Sequence, residues 1–166
     1  MGLVVQASLG DGLSIGAWQI GVASMTGALL SARLFIGLVG APIAGTLSDR
    51  VGSRWGLLAA SFAIGAIGII LMPLPNSIAL ILGTIICAIS SGSVQSLTTA
   101  LVGDLSHRHE HGKSLSLFNN AGDLGSALGP LIAYALFPVI GLMSMYVGCA
   151  LLMFIVALWA MRVNRQ

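Results

Sequence analysis

The sequence predicts an all-α protein, a polytopic bundle of transmembrane helices, and three observations carry that expectation. Of its 166 residues, 57% are hydrophobic and only 7% charged, against roughly a quarter charged in an ordinary soluble domain. Residues 57–72, 78–103 and 139–161 each run without a charged side chain, and each is close to the ~17–25 residues a helix needs to cross ~30 Å of hydrocarbon. Glycine accounts for 22 residues, a cost in a soluble helix bundle but a means of close helix approach inside a membrane. Alternating ten-residue segments of the kind that build a membrane barrel are absent from the sequence.

Residues 1–10, MGLVVQASLG, are apolar but too short to span and have no basic leader. They fit neither a signal peptide nor an anchor, and read instead as the outer end of a further helix. Five spans follow, at 18–47, 56–72, 77–102, 114–137 and 139–161. A charged turn at 48–55 ends the first, a short proline-rich turn at 73–76 the second, and a charged loop at 104–113 the third; Pro138 begins a tight uncharged turn before the fifth. Of the 7 Lys and Arg residues, Arg50 and Arg54 lie in the first connection, Arg108 and Lys113 in the third, and Arg162 and Arg165 in the tail, while the second and fourth connections have none. The positive-inside rule makes that charged side cytoplasmic, with the carboxy terminus on it and the amino terminus outside. The compact loops suit a bacterial inner membrane.

A net charge of +2, distributed by topology rather than gathered in a patch, excludes a nucleic-acid partner; the lipid bilayer is the first partner expected. Cys87 and Cys149 sit inside apolar runs without the paired spacing of metal ligands, and read as packing residues. His107, His109 and His111 alternate in a charged loop and read as solvated. No metal or cofactor site is expected. With no grouping of acid, base and nucleophile, and no phosphate-binding glycine loop, neither an enzyme nor an ATP-driven pump is indicated.

The most specific local pattern is GTLSDRVGSRW, residues 45–55. It resembles the signature loop of the major facilitator superfamily, which joins the second and third helices of each six-helix half. The matching positions are Gly45, Asp49, Arg50, Gly52 and Arg54. Gly45 would permit close approach of a neighbouring helix, Gly52 a tight turn, and the charged set a lock between helix ends. Asp104 closes the third span as Asp49 closes the first, so Asp49, Arg50, Arg54 and Asp104 are expected to cluster. The resemblance covers nearly the whole chain and implies half of a major facilitator fold. Residues 84–91 lack the intramembrane arginine often found in the fourth helix of an amino-terminal half, which favours helices eight to twelve, the carboxy-terminal half. GSALGP, residues 125–130, is also similar to the final portion of a glycine-proline signature in the fifth helix of drug-proton antiporters, with Ala133 and Tyr134 where paired glycines would stand.

That resemblance implies secondary active transport of a small-molecule substrate by alternating access, in partnership with a missing amino-terminal half of the same transporter. The alternative is a truncated, transport-inactive membrane protein, an assembly partner or regulator or one without a function of its own. In such transporters the first, third and fourth spans line the cavity. The third places Thr84, Ser91, Gln95 and Thr98 on one face, and the fourth Asn119, Asp123 and Ser126. Arg33 and Asp123 are ionisable residues inside spans, costing roughly 2.5–3.5 kcal/mol each near a helix centre. Arg33, Gln95, Asn119 and Asp123 are therefore candidates for contact with substrate or proton, a structural Arg33–Asp123 pair being the competing expectation. Gly125, Gly129 and Pro130 are candidate helix-packing residues. With Gly122 they match Gly37, Gly40 and Pro42 of the first span, as an inverted repeat would.

Overall fold

In the computed structural model, residues 12–15, 18–107 and 109–164 are described. The proposed helix end at 1–10, and Arg108 and Arg165 of the charge count, lie outside the described residues. A short antiparallel hairpin comes first, β1 (Gly12–Ile15) paired with β2 (Trp18–Gly21) in the register Gly12↔Gly21 to Ile15↔Trp18. The rest is helical: α1 (Val22–Val51), α2 (Arg54–Leu71), α3 (Ser77–Leu105) and α4 (His111–Val163). All four are long and apolar enough to cross a membrane, and the chain is an integral, multi-pass membrane protein.

Local chemistry explains the helix ends. Hydropathy drew the first span at 18–47, whereas α1 begins at Val22, because β2 takes up the preceding residues, and runs on to Val51. Residues 48–51 of the expected turn stay helical, with the Ser48 hydroxyl donating to the Gly45 carbonyl at 3.0 Å, as Thr46 within the predicted span donates to the Ile43 carbonyl. The helix stops only at Gly52, whose φ of 69° is left-handed and whose N–H bonds back to the Ser48 carbonyl at 3.0 Å. That is the glycine stop in which the backbone caps its own last turn. Ser53 then caps α2 by accepting from Gly56 N–H at 3.2 Å, and Asn76 caps α3 by accepting from Ile78 N–H at 2.9 Å. In α4 the helix continues through Pro130 and Pro138 and breaks at Gly141, with φ 74° and ψ 164°. The interruption thus lies beyond Pro138, at the residue that alone tolerates that backbone.

α3 is the centre of the packing. α1 and α2 both lie along it and scarcely touch each other, and α4 packs chiefly on α2. The two crossings of α3 are made by glycines. A Cβ on Gly92 would stand 2.5 Å from the Gly37 carbonyl oxygen of α1, and one on Gly83 would stand 2.8 Å from the Gly68 carbonyl oxygen of α2. Leu58, Leu97 and Leu101 form a buried core near the signature turn, with Trp55 and Phe62 against it. Met72, Leu80 and Cys87 form a second at the opposite end, capped by Leu142 and Tyr146 of α4. Residues 111–140 are exposed almost throughout.

Candidate functional site

The signature turn is held by one guanidinium. Arg54, the first residue of α2, donates from Nη2 to Asp49 Oδ1 at 3.2 Å and from Nη1 to Asp104 Oδ2 at 2.5 Å. Three helices are thereby joined at one end of the bundle: Asp49 comes from the last turn of α1, Arg54 from the start of α2, and Asp104 from the last turn of α3. Side-chain exposures of 31% for Arg54, 68% for Asp49 and 54% for Asp104 leave the cluster open to water. Each pair then contributes only about 0–1 kcal/mol, so the cluster fixes geometry more than it stabilises. Arg50 does not join it. With the helix continuing to Val51, each residue turns ~100° from the last, and Arg50 is exposed without an ion pair among the described residues.

The loop glycines differ in use. Gly52 makes the turn through its positive φ. Gly45 faces α3, but a Cβ there would meet Ser96 Oγ at 3.5 Å, an ordinary contact. The tight approach between α1 and α3 is at Gly37 and Gly92, which hydropathy alone does not single out among so many glycines. Two further contacts tie the turn to the end of the chain: Ser53 donates to Asn164 Oδ1 at 2.7 Å, and Trp55 meets Trp159 edge-on, ring centroids 5.9 Å apart at 81°. The sequence signal for them was faint, a serine before a helix and one tryptophan near each charged end. His111 Nδ1 lies 2.9 Å from Ser106 Oγ, closing the loop between α3 and α4.

On the other flank of the α1–α3 crossing lies a groove of about 510 Å³ that brings Arg33 and Gln95 together, with Ser91, Leu34 and Leu38 in its walls. Arg33 is half-buried and within ~10 Å of the middle of its helix by the ~1.5 Å rise per residue. Asn119 and Asp123 are not part of this groove. Both are exposed on the first segment of α4, and Arg33 and Asp123 form no ion pair. Gly125 and Gly129 have nothing within 4 Å of where a Cβ would stand, and Pro130 beside them is exposed. A second groove of about 640 Å³, between α1 and α2 over α3, is lined almost wholly by apolar side chains such as Phe35, Val39, Ile43 and Ile64.

Comparison with known proteins agrees with this architecture. A family model described as "Major Facilitator Superfamily" matches residues 3–166. "Major facilitator superfamily domain-containing protein 10" of Bos taurus is 31% identical over 134 residues, covering 70% of this chain and 29% of that protein. "Putative metabolite transport protein YwtG" of Bacillus subtilis (strain 168) is 28% identical over 119 residues, 70% of this chain and 26% of that protein. The chain thus matches less than a third of the length of these curated relatives. No solved structure matches it. With a family match over nearly its full length, apolar spanning helices and the charged turn between α1 and α2, the chain belongs to the major facilitator superfamily.

Proposed function

We propose that this chain forms part of a secondary active transporter that moves a small solute by alternating access, and supplies helices eight to twelve of its carboxy-terminal half. Family membership supports a transporter rather than an enzyme. The observation that carries the mechanism is Arg54 bridging Asp49 and Asp104. Worth little in energy and spanning three helix ends, such a bridge can break and re-form as the bundle tilts, which suits a latch between inward-closed and inward-open states. In this reading the charged turn and the carboxy terminus are cytoplasmic, and α4 contributes two spans on either side of Gly141. The amino-terminal half packs against residues 111–140, whose exposed apolar surface supports that arrangement. Arg33, Gln95, Asn119 and Asp123 are the candidate contacts to substrate or proton.

The test is solute profiling in a bacterial host, with and without the complete transporter that contains this half. One small solute should accumulate or be depleted only when the protein is present, and the effect should collapse when the proton or sodium gradient is dissipated. A complete transporter, both halves present, that inserts in the membrane yet alters no solute level would sink the reading.

A further inference from the structure

The groove between α1 and α3 holds a charge that the described chain does not neutralise. Arg33 projects among its lining residues, and no carboxylate among the described residues makes ion-pair contact with it. A guanidinium does not lose its proton in proteins, and an unpaired charge in a low-dielectric setting is costly. The other polar side chains of the groove are Ser91 and Gln95. Ser91 has spent its hydroxyl proton on the Ala88 carbonyl at 3.0 Å, whereas Gln95 is exposed and its side-chain amide has no hydrogen-bond partner among the described residues. Leu30, Leu34 and Leu38 recur at four-residue steps along the same wall, forming one apolar rail on α1. A volume of about 510 Å³ is in the range of small-molecule sites.

These features select a ligand class. A cation would be repelled by Arg33, and a sugar would leave most hydroxyls facing leucine. We infer that the groove takes an amphipathic organic anion, its carboxylate held by Arg33 with a further hydrogen bond donated by Gln95, and its apolar body laid along Leu30, Leu34 and Leu38. This names the solute class for the transport reading and rests on it for the groove's place on the transport path; the binding step is separable.

The experiment measures equilibrium binding of benzoate and octanoate to the purified protein in detergent, against the neutral benzamide and octanamide. The acids should bind saturably and more tightly than their amides. Arg33→Gln should weaken them by at least about tenfold, as loss of a charge-assisted bond requires, Arg33→Lys should retain part of the affinity, and Gln95→Leu should cost a smaller factor. Equal binding of acid and amide, no saturable binding, or undiminished binding by Arg33→Gln would overturn the assignment. So would an Arg33→Gln variant that misfolds and is rescued by adding Asp123→Asn, since Arg33 would then be the structural partner of Asp123. Acid binding by this chain, with no uptake into proteoliposomes that hold the complete two-half transporter, leaves the anion assignment standing and sinks the transport reading. Gradient-driven uptake of a neutral solute that is indifferent to Arg33→Gln does the reverse.

Discussion

Single residues divide here into those that set geometry and those that set stability. The Arg54 bridge belongs to the first group. Asp49→Asn and Asp104→Asn should each shift the unfolding free energy by no more than about 1 kcal/mol, while in the full transporter they change transport rate more than expression level; normal kinetics in both would leave the turn a topological marker only. Gly92 belongs to the second. A methyl there would press on the Gly37 carbonyl oxygen at 2.5 Å, so Gly92→Ala should cost about 1–3 kcal/mol, the usual penalty of overpacking. Gly125→Ala and Gly129→Ala, with nothing within 4 Å, should not disturb contacts within this chain, and a denaturant series on the three variants separates the cases. The contrast shows what the sequence revealed. Asp49, Arg54 and Asp104 could be brought together on paper because each ends or begins an apolar run. Arg50 lies within a turn of Asp49 in sequence, which groups it with them, but the helix runs on to Val51 and Arg50 makes no ion pair among the described residues. Gly92 could not be picked out, because which of 22 glycines faces a partner depends on helix rotation.

At the scale of the element, α4 is the most informative. Its 53 residues would reach ~80 Å if continuous, against a hydrocarbon core of ~30 Å, so a break is required, and Gly141 provides it. Gly141→Ala should cost about 1–3 kcal/mol, because a side chain is strained at that φ wherever it points. Pro138→Ala should cost less, since the helix already runs through it. A melting comparison of the two decides whether the proline or the glycine sets the turn. Sequence favoured Pro138 because proline is the commoner breaker; a glycine's backbone conformation leaves no mark in hydropathy. The distribution of Lys and Arg among the connections sets the orientation test. Cysteines introduced at Ser53, Asn76 and His109 should react with an impermeant reagent from outside intact cells only at Asn76; the opposite pattern would invert the proposed topology.

On the scale of the whole molecule, apolar surface is left open along residues 111–140, and Asp123 lies within it. If Asp123 meets substrate or a proton, Asp123→Asn should insert normally yet lose uptake or shift its pH profile, and an unchanged profile would remove it from the transport path. The polar stripe of α3 and the charge on α1 are visible in sequence, whereas the exposure of Asn119 and Asp123 is not, because it depends on how the first segment of α4 packs. The two glycine crossings of α3 carry a further consequence. Gly83 and Gly92 are nine residues apart, about two and a half turns at ~100° per residue, so α2 and α1 clasp opposite sides of one helix. A ribosome releases α1 first, then α2, then α3, yet neither of the first two has its main partner until the third arrives. Helices inserted singly and joined afterwards would leave α1 without its main partner within this chain through the synthesis of roughly fifty residues.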